Sequence, residues 1–196
     1  MSESRRWNEP VAVSGMGVIT PYGRGVAAFK QALYEGRSAI GSASLAPLEG
    51  SRPVGLLASQ SPGEWIEPFI SGEHQKGKIL KKVLRRKPLP VVLSALAALE
   101  AFESADLEKD NPGQMGIVVG GHSLASSYDF EMRRKFDVSP NHVAPSFLIQ
   151  LLDTDHVGVL SELLGIHGTG LTVGGASASG QMAIIQAANL IRLEEV

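Results

Sequence analysis

The apolar positions of this 196-residue chain form short runs that end on glycine, interleaved with longer stretches of helical spacing. The short runs are rich in Val, Ile and Thr and predict buried strands at residues 11–20, 116–121 and 170–173. Apolar residues on one side predict helices at residues 26–36 and 181–192, and a stretch rich in Ala and Leu predicts one at 91–107. Two more helices are expected, a polar one at 123–138 and one at 145–164. Strands that alternate with helices predict a layered α/β fold with a mixed, mostly parallel sheet.

Two segments depart from this alternation. Residues 37–77 are rich in Ser, Gly and Pro with weak periodicity, and they predict an irregular excursion with one short strand at residues 54–58. Residues 76–87 carry seven basic side chains among four apolar ones, before Pro88 interrupts the pattern. Three core strands are few for a chain of this length, so we expect the chain to be the front part of a larger structure.

Composition removes several function classes. A net charge of −2 gives no general case for nucleic-acid or membrane binding. The N-terminus has no apolar signal core and no run approaches the ~20 apolar residues of a membrane span, so a cytoplasmic protein is expected. Absence of cysteine excludes disulfides, thiolate metal sites and a cysteine nucleophile.

The segment Gly174-Gly-Ala-Ser-Ala-Ser-Gly180 predicts a tight bend between a strand and a helix, with Ser177 at its apex. Such a bend projects one side chain and directs helix N–H groups towards its surroundings. A serine hydrolase is disfavoured, because the final glycine of Gly-x-Ser-x-Gly is missing and no Asp or His follows Ser177. All five histidines (His74, His122, His142, His156, His167) precede it.

Nucleotide and metal sites are also disfavoured. The glycine turns at residues 15–17 and 116–121 lack the Gly-x-Gly-x-x-Gly and Gly-Lys-Ser/Thr patterns. Asp153-Thr-Asp-His156 is dense in ligand types, but adjacent residues of a helix point in different directions and do not converge on one ion. We expect a polar surface or a helix start there, and no metal site.

Four segments, in order, resemble the β-ketoacyl-acyl-carrier-protein synthases, the condensing enzymes of fatty-acid and polyketide synthesis. They are Val11-Ala-Val-Ser-Gly-Met-Gly-Val-Ile-Thr-Pro-Tyr-Gly23 with Gly36-Arg-Ser-Ala-Ile40, Gly116-Ile-Val-Val-Gly120, Leu164 to Gly180, and Ala187-Ala-Asn-Leu-Ile-Arg192. The resemblance covers most of residues 11–195 and is weakest at 42–75. It implies that residues 1–196 form the N-terminal half of a thiolase-like layered α/β/α fold, a dimer paired through the strand before the bend, and no cofactor beyond the phosphopantetheine arm of an acyl carrier protein.

The chain departs from the family at the residue that carries the chemistry. The family places cysteine where this chain has Ser177, and a serine hydroxyl is far harder to ionise than a thiol of pKa ~8.5. A helix dipole worth about 0.3–2 kcal/mol does not close that gap, and no base is visible. The family's two histidines and lysine come from a C-terminal half that this sequence does not match. We therefore expect a second polypeptide to supply that half, or the half to be lost from this chain.

Three interpretations of Ser177 remain open. The first resembles the Cys-to-Ser malonyl-carrier-protein decarboxylases of polyketide β-branching cassettes, in which Ser177 donates a hydrogen bond or acts as a spacer. The second is a catalytically silent chain-length-factor-like subunit that pairs with an active synthase, although such subunits more often carry glutamine here. The third is an acyltransferase with Ser177 as the nucleophile. In the first, Ser177 is the catalytic position and Gly175, Ser179 and Gly180 bind substrate.

The basic segment also has two interpretations. Carrier proteins are acidic, so Lys81, Lys82, Arg85 and Arg86 could dock one by charge complementarity. The alternative is a solvated face whose aliphatic stems cover apolar surface. The expected partners are an acyl carrier protein and a second subunit, either a copy of this chain or a chain that supplies the C-terminal half; neither nucleic acid nor a membrane is expected.

Overall fold

A computed structural model describes residues 9–44, 49–70, 77–107 and 114–196 of the chain. Its strands are β1 (Ile19–Thr20), β2 (Gly23–Arg24), β3 (Ile40–Ser44), β4 (Ser51–Gly55), β5 (Ile117–Gly120) and β6 (Gly170–Val173). Its α-helices are α1 (Val26–Tyr34), α2 (Pro62–Ile70), α3 (Gly77–Leu84), α4 (Leu89–Ser104), α5 (Ser126–Val138), α6 (Phe147–Gln150), α7 (Thr154–Leu164) and α8 (Ser179–Arg192). Short 3-10 turns cover Pro140–His142 and Ala176–Ala178.

The hydrophobic core surrounds α4. This helix is rich in Ala and Leu, which favour helix, and it begins after Pro88 with a proline in its first turn. Val91, Val92, Ala95 and Leu96 are fully buried. They pack with buried residues of α2, α3 and α7, such as Phe69, Leu80, Leu84 and Val159. The helix predicted at 91–107 is therefore confirmed as α4, which begins two residues earlier and ends three residues earlier than predicted.

The central sheet consists of the parallel pair β5–β6, with Ile117 opposite Gly170 and Gly120 opposite Val173. α8 packs on both strands and α7 packs on them as well. The other two pairs, β1–β2 and β3–β4, are antiparallel. A parallel pair joined through α5, α6 and α7 is the α/β arrangement that the alternation predicts. Both strands at 116–121 and 170–173 are confirmed.

The predicted strand at 11–20 is wrong over most of its length. Only Ile19 and Thr20 pair, and residues 10–18 pair with no strand in the described part of the chain. Side chains of α4 bind this backbone instead: Glu100 accepts from the amide of Val18 at 3.1 Å, and Ser104 accepts from the amide of Met16 at 3.1 Å. A methyl group at Gly17 would overlap the carbonyl oxygen of Ala97, so this close approach requires glycine.

Three further predictions need correction. Residues 37–77 are not simply irregular, because the hairpin β3–β4 and the helix α2 lie there, and the strand expected at 54–58 ends at Gly55. The helix at 145–164 is divided into α6 and α7 by a turn at 151–153. The helix at 26–36 forms, but Leu33 and Tyr34 of its expected apolar face are exposed, and Ala32 is the buried residue. No helix among the described residues has the length and apolar character that crossing a membrane requires.

Candidate functional site

The site is the bend that joins β6 to α8. Leu171, Thr172 and Val173 favour an extended strand, and the small residues that follow permit a tight turn. Gly174 and Gly175 leave the strand, a single 3-10 turn covers Ala176–Ala178, and α8 begins at Ser179. Ala176 has a φ of 47°, which L-residues seldom adopt. Ala176 directly precedes Ser177. Strained backbone of this kind is concentrated at active sites and ligand-binding sites, where the fold holds it in place.

Ser179 holds the bend in place. Its side chain is buried, and its hydroxyl donates to the carbonyl of Ala176 at 2.7 Å and accepts from the amide of Gly175 at 3.0 Å. The amide of Ala178 also donates to the carbonyl of Gly175 at 2.8 Å. These bonds determine the conformation of the residues around Ser177. The hydroxyl of Ser179 is fully used within the bend.

Ser177 is solvent-exposed at the amino end of α8. Within the described residues, neither its hydroxyl nor its amide has a hydrogen-bond partner. A serine hydroxyl that is not hydrogen-bonded to a base is a poor nucleophile. The free amide at the positive end of a 14-residue helix is a donor for a carbonyl oxygen that gains negative charge.

The first turn of α8 lies directly on β5. A methyl group at Gly120 would be 2.5 Å from the carbonyl oxygen of Ser179 and 2.8 Å from the Cβ of Ala183. Because real Cβ atoms do not approach so closely, only glycine permits this contact. Gly175 and Gly180 are exposed at the same bend, and an added methyl at Gly180 would meet nothing. The structure therefore brings Ser177, Gly175, Ser179 and Gly180 together, as the sequence predicts.

The structure brings His122 to this bend, a position that its place upstream of Ser177 in the sequence does not indicate. A methyl group at Gly174 would lie 3.8 Å from Nδ1 of His122. His122 directly follows the glycine pair that ends β5, whereas Ser177 follows the glycine pair that ends β6. Because the carboxyl ends of parallel strands meet at one edge, this shared position is the signal that could have found it.

The three candidate metal ligands in Asp153-Thr-Asp-His156 point to different partners in the structure. Asp153 accepts from the backbone amides of Ser123 and Leu124 at 3.0 and 2.8 Å. Asp155 pairs with Lys87 at 2.6 Å, and Nδ1 of His156 lies 2.8 Å from the hydroxyl of Ser94. α7 begins here, which confirms a helix start, but a polar surface is wrong for Asp155 and His156, because both are buried.

The environment of His156 changes its titration. Burial lowers the pKa of the imidazole below its usual value, and it outweighs the nearby charges of Asp153 and Asp155, which act in the opposite direction. Nε2 of His156 and Oδ2 of Asp155 are buried without a hydrogen-bond partner in the described part of the protein. Those residues contain no group of three His, Cys, Asp or Glu side chains that could hold a metal ion.

The basic side chains lie on a different element from the bend. Lys81 and Lys82 are on α3 and Arg85 and Arg86 on the turn that follows it, all four exposed. Lys82 pairs with Glu162 of α7 at 3.2 Å, and this pair is itself exposed. Lys81, Arg85 and Arg86 have no carboxylate partner among the residues that the structure describes.

Solved structures share this fold. The ishigamide ketosynthase/chain length factor superposes with a TM-score of 0.74 at 21% sequence identity, over 94% of this chain and 44% of its own. A beta-ketoacyl synthase from Burkholderia phymatum STM815 superposes with a TM-score of 0.61 at 17% identity, over 92% of this chain and 43% of its own. The thiolase-like α/β fold that the resemblance implies is thereby confirmed.

Sequence relatives point the same way. The polyketide biosynthesis malonyl-ACP decarboxylase PksF of Bacillus subtilis (strain 168) is 28% identical over 186 residues, which are 95% of this chain and 42% of that protein. The 3-oxoacyl-[acyl-carrier-protein] synthase 2 of Vibrio cholerae is 24% identical over 92% of this chain and 42% of its own length. The chain thus spans less than half the length of these relatives. The family model of the beta-ketoacyl synthase N-terminal domain matches residues 8–196, and the protein belongs to the beta-ketoacyl synthase family.

Proposed function

We propose that this chain is the N-terminal half of a ketosynthase-like enzyme of polyketide biosynthesis, which decarboxylates malonyl-acyl-carrier protein to acetyl-acyl-carrier protein for β-branching. The observation that carries the proposal is a complete strand–bend–helix site in which an exposed serine, whose hydroxyl has no hydrogen-bond partner among the described residues, replaces the nucleophile. The similarity to the Bacillus decarboxylase supports this choice of reaction.

Decarboxylation requires only part of what condensation requires. The bond between the α-carbon and the carboxylate breaks, its electron pair moves into the thioester, and the thioester oxygen gains negative charge. Stabilising that oxygen takes preorganised donors and no covalent bond to the enzyme. The amide of Ser177 is such a donor. Gly175 and Gly180 are exposed beside it, and the space next to the Cα of Gly180 is open for the substrate. Ser179 contributes by holding the bend.

The substrate would reach the site on the phosphopantetheine arm of an acyl carrier protein. Lys81, Arg85 and Arg86, which have no carboxylate partner among the described residues, lie with Lys82 on an exposed basic segment that suits an acidic partner. We expect the double variant Arg85→Glu/Arg86→Glu to weaken binding of the carrier protein at low salt at least tenfold. Arg52→Glu/Arg134→Glu makes the same charge change at two exposed arginines on β4 and α5 and serves as the control. Equal affinity of the two double variants for the carrier protein would show that Arg85 and Arg86 take no part in docking.

The rest of the active site would come from a C-terminal half. Large apolar side chains are exposed on α1 and α8, and a soluble domain rarely leaves so many uncovered without a partner. They include Leu33, Tyr34, Met182, Ile184, Ile185 and Ile191. We propose that this half, and a second copy of the assembly, cover these side chains. The mass of the purified assembly, measured by light scattering, tests it: a monodisperse 20.8 kDa monomer would contradict the proposal.

The alternative function is a chain-length-factor-like subunit without catalysis. Its support is the same hydroxyl of Ser177, which is hydrogen-bonded to no base among the described residues. Such a subunit would pair with an active synthase and shape its acyl tunnel. It would bind the synthase but release no carbon dioxide from malonyl-carrier protein.

Intact-protein mass spectrometry and carbon dioxide release separate the interpretations. The assembly is incubated with malonyl-carrier protein, with Ser177→Ala as the comparison. If the chain is a decarboxylase, we expect acetyl-carrier protein and carbon dioxide to form without an acyl adduct on the chain. Ser177→Ala should then retain at least a tenth of the wild-type rate. An adduct on Ser177 would support the acyltransferase, and absence of both events would support the silent subunit.

A further inference from the structure

His122 and Ser177 both lie just beyond the carboxyl ends of paired strands, at one edge of the sheet. β5 and β6 are parallel, and Gly120 lies opposite Val173 at their last paired position. The amide of Gly121 donates to the carbonyl of Val173 at 3.0 Å, which extends the pairing by one bond. The next residue on the β5 side is His122, and on the β6 side the chain enters the bend that carries Ser177. Both side chains therefore leave the carboxyl edge of the sheet.

The imidazole of His122 lies against the backbone that leads into the bend. A methyl group placed on Gly174 would lie 3.8 Å from Nδ1 of His122 and 3.6 Å from the carbonyl oxygen of Gly121. His122 is exposed, and neither ring nitrogen has a hydrogen-bond partner within the described ranges. An exposed ring beside the bend, with both nitrogens free of hydrogen bonds to the described residues, is available to a bound ligand.

The turn that carries His122 is held on its other side. Ser123 has a φ of 52°, and its backbone amide donates a hydrogen bond to one carboxylate oxygen of Asp153, while the amide of Leu124 donates to the other. Asp153 directly precedes α7, which belongs to the buried core through Val159 and Leu160. His122 is thus anchored to rigid elements on both flanks, as a residue that binds a ligand in a fixed orientation requires.

We propose that His122 donates an N–H hydrogen bond to the thioester oxygen of the malonyl group, beside the amide of Ser177. The inference rests on the proposed function and assigns a second donor from this chain. The reaction remains balanced: the carboxylate leaves as carbon dioxide, its electron pair forms the enolate, and a proton from water later completes the acetyl methyl group. His122 keeps its own proton throughout and lowers the energy of the enolate oxygen.

The other described histidines do not offer this geometry. His156 is buried and its Nδ1 is bonded to Ser94. His167 is exposed but precedes β6, so it lies at the opposite edge of the sheet from Ser177. His142 follows α5 in the 3-10 turn. His167 therefore provides a matched control: an exposed histidine beside the same strand at its far end.

The experiment combines a binding readout with a rate. Malonyl-pantetheine amide, in which nitrogen replaces the thioester sulfur, is titrated into the isotopically labelled assembly while the imidazole resonances are followed by NMR. We expect the His122 signals to shift and saturate and those of His167 to stay in place. In decarboxylation assays, His122→Phe should lower kcat about 100-fold with little change in KM, by analogy with loss of one oxyanion donor. His122→Gln, which keeps an N–H donor, should recover about tenfold, and His167→Phe should match the wild type.

The outcomes separate this inference from the proposed function. If the assembly does not decarboxylate but the His122 signals shift and saturate, the proposed reaction is wrong and the assignment of His122 as a hydrogen-bond donor stands. If the assembly decarboxylates and His122→Phe turns over like the wild type, the proposed reaction stands and the assignment of His122 as a donor is overturned. Absence of any His122 shift on addition of the amide likewise overturns it, and so does equal loss in His122→Gln and His122→Phe, since that indicates a steric role.

Discussion

The two longest helices, α4 and α8, are both apolar but have opposite environments. In α4, Val91, Val92, Ala95, Leu96 and Leu99 are at most 1% exposed, because α2, α3 and α7 surround them. In α8 only Leu190 is a buried hydrophobic residue among those described, and Ile184 is 71% exposed. One helix completes a core within this chain. The other contacts the sheet with one side and presents apolar residues outward, on the element that carries the candidate site.

The difference shows that hydrophobicity alone does not tell what a helix packs against. α4 buries its residues in contacts that this chain supplies, so they stabilise the fold directly. The outward side chains of α8 gain nothing from burial within this chain. We expect changes in α4 to affect the free energy of unfolding, whereas changes on the outer side of α8 should affect association.

Truncation in the core should have the largest effect. Leu96→Ala removes a fully buried side chain and leaves a cavity, so it should lower the free energy of unfolding by about 2–5 kcal/mol. Ile184→Ala, at an exposed position, should change it by less than about 0.5 kcal/mol. Urea denaturation followed by circular dichroism measures both. Similar losses in the two variants would show that α8 is already covered by a partner in solution.

The contact of α8 with β5 offers the next test. Gly120→Val places methyl groups where the carbonyl of Ser179 and the side chain of Ala183 now lie, which should destabilise the protein by about 1–3 kcal/mol and displace the bend. Gly180→Ala meets no neighbour and should stabilise α8 by up to about 1 kcal/mol, because alanine favours helix. Thermal denaturation compares them. A neutral Gly120→Val would contradict the close packing of the site on the sheet.

The two serines of the bend should respond differently. Ser179→Ala leaves the amide of Gly175 without its acceptor and should cost about 1–3 kcal/mol, since that amide and the carbonyl of Ala176 lose their partner inside the bend. Ser177→Ala removes an exposed hydroxyl without bonds and should change the free energy of unfolding by less than about 0.5 kcal/mol. If Ser177→Ala proves the more costly of the two, the hydroxyl has a structural partner.

The smallest effect should come from pH. The folded-state pKa of His156 is lowered by burial, so below the unfolded-state pKa of ~6.5 the unfolded chain binds the proton more readily. The contribution of His156 to stability is therefore complete above pH ~6.5 and is lost as pH falls from there towards the folded-state pKa. Denaturant titrations between pH 5.5 and 7.5 on wild type and His156→Gln measure it. Identical slopes for the two proteins would exclude His156 as the source.

Local patterns predicted the elements that this chain completes by itself. The strand at 170–173 matches β6 in both bounds, and the small-residue bend and the helix after it follow as expected. The stretch rich in Ala and Leu likewise predicts α4, and the polar helix predicted at 123–138 matches α5, each to within about three residues. In each case the signal lies in neighbouring residues: β-branched side chains for the strand, turn-forming small residues for the bend, and helical spacing for the helices.

The hairpin β3–β4 had no such signal. Its strands read Ile-Gly-Ser-Ala-Ser and Ser-Arg-Pro-Val-Gly, which have little β propensity and include a proline. The two strands pair through backbone hydrogen bonds, with Ile40 opposite Gly55, and such pairing leaves no mark on side-chain patterning. The reverse error occurred at residues 11–18, where a strand-like sequence contacts α4 and has no strand partner in the described residues.

The sequence by itself thus determined the α/β class, the strand–bend–helix unit and the serine at its apex, because each depends on residues adjacent in the chain. Only the tertiary structure decided which residues surround that serine. It brought His122 against Gly174 across 52 residues, since parallel strands align their carboxyl ends. It also buried Asp155 and His156 against Lys87 and Ser94, and left one side of α8 open. Contacts between distant residues arise from packing, and no local pattern encodes them.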